Sequence, residues 1–308
     1  MHDSDDSGQP ASAEAPYDGL TPDSILDALA QVGLMPDGRM FALNSYENRV
    51  YQVGVEESPP VVAKFYRPER WSDAQILEEH EFARELEADD LPIAAPLVLA
   101  SPYANPCLGL VGARRPFVHR RTLDCDTYGS DAIARVEASG LLTPAQSATW
   151  LTVAGHAVAA ARQAFAAASP LRGIRLHGDC HPGNILWRDE GEHLGPLFVD
   201  LDDACMGPAV QDLWMLLSGD REAMQGQLSH VLNGYRAFMD FNPAELALIE
   251  PLRALRMIHH SAWLADRWDD PAFPAAFPWF GTPAYWDQQV TQLREQLEHM
   301  TLPPLLAF

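Results

Sequence analysis

The pattern of apolar and polar residues between positions 43 and 67 predicts a β-hairpin. Val50–Val55 and Val61–Arg67 are rich in β-branched and aromatic residues, and the polar stretch Glu56–Pro60 separates them. Short runs of this composition that are bounded by turn residues are typical of paired strands. We therefore predict two adjacent strands with a turn between them.

A helix is predicted directly after this hairpin. Ser72-Asp73-Ala74-Gln75 has the pattern of a capping box, and the helix that it opens runs to about Leu86. At about 100° per residue, the apolar face consists of Ile76, Phe82, Ala83 and Leu86, whereas Glu78, Glu81 and Glu85 point away from it. Glu79 falls near the middle of the apolar face, where a carboxylate needs a partner. Lys64 is the expected partner, and the alternative is a glutamate at the edge that extends to water.

The order of predicted elements indicates an α+β protein with two lobes. Strands dominate the first third, whereas the chain beyond Thr143 is mainly helical, with one short β interval near residues 172–201. The expected lobes cover residues 19–105 and 106–308. Residues 1–18 are rich in Ser, Asp, Pro, Ala and Glu, and we predict a disordered acidic tail there.

Composition narrows the classes of partner. The chain has 308 residues and a net charge of −22, which argues against nucleic acid and anionic membrane surfaces as ligands. The charge is compatible with simple solubility, a basic protein partner or a cationic small molecule. There is no signal-peptide pattern, no apolar run of about 20 residues and no C-x-x-C pair, so we expect a cytoplasmic protein, most simply a monomer.

Lys64 is the single lysine in a chain whose other 20 basic residues are arginines. It ends the β-rich run Val61-Val62-Ala63-Lys64, which resembles the strand that carries the ATP-binding lysine of protein kinases. An ammonium is a compact point charge and a guanidinium is a planar fork, so the two differ where one cation must lie between phosphates. The alternative interpretation is that this single lysine is present by chance and has no special role.

The segment from His177 to Asn184 contains the most chemically informative residues. Asp179 and Asn184 have the Asp-x-x-x-x-Asn spacing of the kinase catalytic loop. Asp179 can accept the proton of an attacking hydroxyl, and Asn184 can bind Mg²⁺ in the same loop. A metal site made by His177, Cys180 and His181 matches no common zinc spacing. We expect His177 to be a packed histidine that bonds the backbone.

A second acidic group follows at Phe198-Val199-Asp200-Leu201-Asp202-Asp203. Adjacent carboxylates repel one another, and a hard cation such as Mg²⁺ relieves that repulsion. Asp200 stands where kinases place the Mg²⁺-binding Asp of D-F-G, although no glycine follows it here. Asp202 is either a second ligand or a solvated neighbour.

In its motifs the chain resembles the aminoglycoside phosphotransferase-like branch of the kinase fold. The matching stretches are LNSYENRVYQ (43–52), KFYRPERW (64–71), ILEEH (76–80), LHGDCHPGNILWRD (176–189), FVDLDDA (198–204), GPAVQDLWMLL (207–217), IEPLRALR (249–256) and PAFPAAFPW (271–279). The resemblance implies a bilobal protein-kinase-like fold, with a small antiparallel β lobe that contains one helix and a larger helical lobe. It implies an ATP- and Mg²⁺-dependent serine/threonine protein kinase that acts in bacterial stress protection.

The resemblance also implies a role for each matching residue. Asp179 is the expected proton acceptor, Asn184 and Asp200 are the expected Mg²⁺ ligands, Lys64 and Glu79 the pair at the phosphates, and Ser45 a neighbour of ATP in the first hairpin turn. Asp212 resembles the helix-borne Asp that braces the catalytic loop.

The chain departs from the family after Ala100. The family continues there with a strand, an adenine-contacting hinge and a helix. This chain passes instead from Ser101–Pro106 to Val111–His119, and the second stretch resembles the family's segment beyond that helix. A missing hinge predicts weak ATP affinity and little turnover. The alternatives to a protein kinase are therefore a kinase of small amines or amino acids and a pseudokinase that binds a partner.

Overall fold

The structure is a computed structural model that describes residues 16–43, 45–97, 116–189 and 194–306. Its contacts divide the described chain into two units. The smaller unit contains residues 16–43 and 45–72, and the larger contains the rest.

The smaller unit is a three-stranded antiparallel sheet with one helix. Its elements are α1 (Pro22–Gln31), β1 (Pro36–Ala42), β2 (Arg49–Val55) and β3 (Ser58–Phe65), and the strand order is β1-β2-β3. Ile25 of α1 packs with Val53 and Ala63 to form the core of this unit. The predicted hairpin is confirmed as β2 and β3, but its turn is shorter than expected. Only Glu56 and Glu57 remain outside the strands, because Glu57 adopts a positive φ of 55° and so tightens the turn.

The predicted tail 1–18 is only partly open to comparison. Residues 1–15 lie outside the described part of the chain. Residues 16–18 lie in a turn, where the Tyr17 hydroxyl donates to the Glu47 carbonyl at 2.7 Å and the Arg49 guanidinium lies over the Tyr17 ring. The disordered tail at residues 1–18 stays a prediction.

The larger unit is mainly helical and carries two short strand pairs. Its helices and strands are α2 (Asp73–Ala88), α3 (Asp131–Ala138), α4 (Pro144–Ala167), β4 (Ile174–Leu176), β5 (Ile185–Arg188), β6 (Gly195–Phe198), β7 (Cys205–Gly207), α5 (Val210–Trp214), α6 (Arg221–Arg236), α7 (Ile249–Ala265), α8 (Ala272–Ala276) and α9 (Pro283–His299). A π-helical turn spans Asp126–Ser130, and 3₁₀ turns span Pro182–Asn184, Leu201–Asp203 and Pro243–Leu248. The α+β class is confirmed. No helix in the described ranges is long and apolar enough to cross a membrane.

The core of the larger unit lies among α4, α7 and α9. Trp150 of α4 and Trp286 of α9 are fully buried and meet edge to face, with ring centroids 5.7 Å apart. Leu252, Leu255 and Ile258 of α7 are buried beside them. These helices form a packed base for the strand pairs.

Helix α2 groups with the larger unit, although we expected it in a lobe that ends at residue 105. The physical reason is its apolar face. Phe82 and Ala83 are buried against Ile93, Leu201 and Ala204, which all belong to the larger unit. The division into two units by contacts therefore differs from the predicted lobes 19–105 and 106–308. Those lobe boundaries stay a prediction.

Two antiparallel pairs, β4 with β7 and β5 with β6, frame the predicted site loops. Leu176 pairs with Cys205, and Ile185 pairs with Phe198. The chain passes from β4 to β5 through residues 177–184 and from β6 to β7 through residues 199–204. Because the strands pair in this nested order, both connections lie at the same junction.

Candidate active site

The two connecting loops are joined by their own backbone. The Val199 N–H donates to the Asn184 carbonyl at 3.0 Å, which continues the β5–β6 ladder by one residue. The His177 Nε2 lies 2.9 Å from the Val199 carbonyl. Asn184 and Asp200 therefore lie at the same end of one strand pair.

Asp179 lies in the first loop with its side chain 23% exposed. Its Oδ1 lies 2.6 Å from a guanidinium nitrogen of Arg256. The two groups form an ion pair, but the geometry is not that of a hydrogen bond. His181 Nε2 is 3.5 Å from Oδ2. The Asn184 amide donates to the Asp179 carbonyl at 2.9 Å, which leaves the amide oxygen as its remaining ligand atom. The candidate base is thus fixed in place yet accessible.

Asp200 and Asp202 differ in exposure. Asp200 is exposed and holds a left-handed backbone conformation, φ 64° and ψ 68°, which few residues other than Gly, Asn and Asp adopt. Strained backbone of this kind concentrates at functional sites. Asp202 is only 7% exposed, so the solvated alternative for Asp202 does not fit.

Asp212 of α5 braces the first loop. Its carboxylate accepts the His177 N–H at 2.7 Å and the Gly178 N–H at 2.9 Å, which confirms the bracing role predicted for it. Burial raises the pKa of Asp212. The neighbouring Gln211, which the sequence did not single out, donates to the Gly178 carbonyl at 3.1 Å. Helix α5 therefore holds both backbone groups of Gly178.

The alternative metal set of His177, Cys180 and His181 is not assembled. His177 is buried and uses both ring nitrogens on backbone, since Nδ1 accepts the Asp179 N–H at 3.4 Å. This confirms the packed-histidine interpretation. Burial raises the pKa of the Cys180 thiol to about 12, which disfavours the thiolate that a metal needs.

Glu79 is buried, which excludes a side chain that extends to water. Its Oε2 accepts from the Arg120 guanidinium at 2.9 Å, and that guanidinium is fully buried. No local sequence pattern indicates Arg120 as this partner, because 41 residues separate it from Glu79. The expected pair of Glu79 with Lys64 stays a prediction.

In the smaller unit, Lys64 lies on β3 opposite Val50, and its ammonium is 4.9 Å from the centre of the Tyr66 ring. Ser45 lies in the loop between β1 and β2, and its place near ATP stays a prediction. Two neighbours anchor that loop. The buried Glu47 forms an ion pair with Arg70, and the Asn48 side chain accepts the Arg67 N–H at 3.0 Å.

The donor set fits a hard cation. Asn184 and Asp200 present an amide oxygen and an exposed carboxylate at one loop junction, and oxygen ligands of this kind suit Mg²⁺. Among the described residues there is no cluster of three His, Cys, Asp or Glu side chains arranged around a metal. The Mg²⁺ site at Asn184 and Asp200 therefore stays a prediction.

Comparison with known families identifies the class of protein. The model of the phosphotransferase enzyme family (APH) matches residues 41–127 and 112–249. Together these matches include the first hairpin, α2 and both loops of the candidate site. The chain belongs to the phosphotransferase enzyme family, and its enzyme class is that of a kinase.

Relatives within this family are similar over nearly the whole chain. The serine/threonine protein kinase RdoA of Salmonella typhimurium is 41% identical over 94% of this chain and 96% of its own length. Stress response kinase A of Escherichia coli K12 is 40% identical over the same shares. Among solved structures, amicoumacin kinase hAmiN in complex with AMP-PNP, Ca²⁺ and Ami has a TM-score of 0.59 at 18% identity, covering 93% of this chain and 95% of that one. The latter likeness shows the fold.

The alignments indicate that this chain is shorter than its relatives. The alignment with the Salmonella kinase is 322 positions long, but it contains only 94% of the 308 residues of this chain. At the remaining positions the relative has residues and this chain has none. The family model also matches in two pieces that meet at residues 112–127. The expected deletion of the hinge follows Ala100, and residues 98–115 lie outside the described part of the chain.

Proposed function

We propose that this protein is a serine/threonine protein kinase of the bacterial stress response, which transfers the γ-phosphoryl group of Mg·ATP to a protein hydroxyl. The observation that carries the proposal is the backbone junction of the Asp179–Asn184 loop with the Asp200 segment. Phosphoryl transfer requires little covalent chemistry from the protein, and mainly positioning and charge. The 40–41% identical kinases support a protein acceptor.

In this proposal Asp179 accepts the proton of the attacking hydroxyl. Arg256 contacts one carboxylate oxygen of Asp179 and His181 lies near the other, so the carboxylate has a defined orientation toward an acceptor. Asn184 and Asp200 would hold Mg²⁺, with Asp202 as a further candidate ligand. When bound, the ion supplies positive charge that offsets the charge of the phosphates.

The smaller unit would hold the nucleotide. Lys64 would contact the phosphates with Glu79 as its expected partner, and Ser45 would lie near ATP in the β1–β2 loop. The anchored Glu47 and Asn48 fix the backbone that carries Ser45. We place the enzyme in the cytoplasm as a monomer that binds neither membrane nor nucleic acid, as its net charge of −22 favours.

Two alternatives rest on specific observations. The acidic charge also suits a cationic small molecule, so a kinase of amine or amino-acid hydroxyls is the second candidate. The shorter chain favours a pseudokinase, because a missing hinge removes backbone groups that contact adenine. A protein kinase that binds ATP weakly would be intermediate between a fully active protein kinase and a pseudokinase.

One set of assays separates the three functions. Labelled γ-phosphate is followed from millimolar Mg·ATP to a mixture of basic and acidic protein acceptors, and separately to aminoalcohols and aminoglycosides. Thermal shift with and without nucleotide is measured in parallel. The proposal expects a nucleotide-dependent shift and label in protein. Label only in small amines supports the second candidate, and the absence of both shift and label supports the pseudokinase.

A further inference from the structure

Arg120 connects three segments of the larger unit through one buried side chain. Its Nε donates to the Gln75 carbonyl at 2.9 Å, and its Nη2 donates to Glu79 Oε2 at 2.9 Å. Its Nη1 donates to the carbonyls of Asp202 at 2.8 Å and Ala204 at 3.1 Å. The guanidinium therefore links helix α2 directly to the segment that follows Asp200.

This arrangement needs a guanidinium in particular. Arginine presents donors in a rigid planar fork, whereas the three donors of a lysine diverge from one atom. The fork reaches two carbonyls on one side and Gln75 and Glu79 of α2 on the other. The Arg120 side chain is completely buried, and a buried cation of this kind requires a counter-ion, which Glu79 provides.

The backbone of Arg120 is fixed to the same helix. The Glu78 carboxylate accepts the N–H groups of Val118, His119 and Arg120 at 2.6, 2.9 and 2.9 Å. Both main chain and side chain of Arg120 thus follow the position of α2. The carbonyls at the other end of the guanidinium lie in and beside the 3₁₀ turn Leu201–Asp203, which begins directly after Asp200.

We propose that Arg120 is a positioning residue that sets the Asp200–Asp202 segment relative to α2 and thereby determines how well the site holds Mg²⁺ with nucleotide. The inference rests on the proposed function, since it assigns the metal to Asn184 and Asp200. Residues behind metal ligands commonly control metal affinity by orienting those ligands. Arg120 acts through the backbone of the segment and contacts no phosphate in this scheme.

The test is a comparison of Arg120→Lys with Arg175→Lys. Arg175 is a matched control, because its guanidinium forms an ion pair with Glu85 on the same helix and lies over the Phe82 ring. ADP binding is measured by calorimetry in EDTA and over a Mg²⁺ titration. We expect Arg120→Lys to bind ADP in EDTA as the unsubstituted protein does, and to need about 10–100-fold more Mg²⁺ for the metal-dependent gain in affinity. Arg175→Lys should leave the Mg²⁺ midpoint unchanged.

The outcomes separate this inference from the proposed function. If the unsubstituted protein shows no Mg²⁺-dependent gain in ADP affinity, the proposed function fails and the role of Arg120 fails with it. If that gain is present and Arg120→Lys has an unchanged Mg²⁺ midpoint, the inference about Arg120 is overturned while the proposed function stands. The inference is also overturned if Arg175→Lys shifts the midpoint by the same amount. Should Arg120→Lys not fold, Arg120→Gln repeats the test with an amide donor and without the buried charge.

Discussion

At the scale of single residues, Gly178 shows how closely the two site loops approach. Its φ is 83°, and a Cβ placed on it would lie 2.1 Å from the Asp203 carbonyl oxygen. Protein kinases often carry an arginine at the position before the catalytic Asp, and the backbone contact explains why this chain has glycine. The N–H of the same glycine donates to Asp212, and its carbonyl accepts from Gln211, so α5 holds both of its backbone groups.

We therefore expect Gly178→Ala to lower the free energy of unfolding by about 2–4 kcal/mol, because it adds left-handed strain to a backbone clash. Gly155→Ala is the control. Gly155 is an exposed glycine of α4 where a Cβ would meet no neighbouring side chain within 4 Å, so alanine there should raise stability by about 0.5–1 kcal/mol. Urea denaturation measures both. Equal stability of Gly178→Ala and the unsubstituted protein would contradict the close approach.

Sequence and structure agree best for residues that lie in short motifs. Asp179, Asn184 and Asp200 were predictable because local spacing fixes where each falls relative to its strand. Arg120 and Arg256 were not, because their partners Glu79 and Asp179 lie far away along the chain. Side chains that meet only through tertiary packing leave no local signal.

At the scale of elements, the hairpin β2–β3 and helix α2 were predicted and α1 and β1 were not. The Val-rich runs and the glutamate-rich helix carry strong local patterns. Helix α1 is only 10 residues long, and β1 contains Gly38 and Asp37, which are poor strand formers. These two elements form because Ile25 and Met40 pack against β2 and β3.

Helix α4 depends on a capping box at its first turn. Thr143 Oγ1 accepts the Gln146 N–H, and Gln146 Oε1 accepts the Thr143 N–H at 3.2 Å. We expect Thr143→Ala to lower the free energy of unfolding by about 1 kcal/mol. The control is Thr152→Ala in the middle of the same helix. Thr152 is exposed, and its hydroxyl donates to the Ala148 carbonyl one turn earlier, so this change should be neutral or slightly stabilising. Chemical denaturation that ranks the two variants in the opposite order would refute the capping role.

At the scale of the whole molecule, the division into two units follows burial more than chain order. The sequence predicted an α+β protein correctly, since strands and helices segregate along the chain. It could not predict that α2 groups with the helical unit, because its apolar face gives no information about which surface covers it. The contact with Leu201 and Ala204 decides the matter.

Buried histidines make the stability of the molecule depend on pH. His259 stacks on Tyr128, and its Nε2 lies 3.0 Å from an Arg121 nitrogen. Burial is the largest effect that lowers the pKa of His259 well below its usual value, and the charge of Arg121 lowers it further. The charge of Asp203 opposes these effects. The folded protein therefore keeps His259 neutral, while the unfolded chain takes up a proton below about pH 6.5. Stability is complete above that pH and is lost as the pH falls.

We expect His259 to remove about 1.4 kcal/mol of stability between pH 7.5 and pH 5.5. His259→Phe keeps the ring stack and should flatten the pH profile by that amount, whereas His156→Gln, at an exposed site on α4, is the control. Urea midpoints at several pH values provide the measurement. A profile of His259→Phe that is as steep as that of the unsubstituted protein would show that another group is responsible.

The central claim is that Asp179 serves the chemical step and Asp200 serves the metal at one loop junction. The most direct test measures Mg·ADP affinity and phosphoryl transfer for Asp179→Asn and Asp200→Ala side by side. We predict that Asp179→Asn loses about 10²–10⁴-fold in transfer with nearly unchanged nucleotide affinity, while Asp200→Ala loses the Mg²⁺-dependent part of that affinity. The same binding defect in both variants, or undiminished transfer by Asp179→Asn, would contradict it.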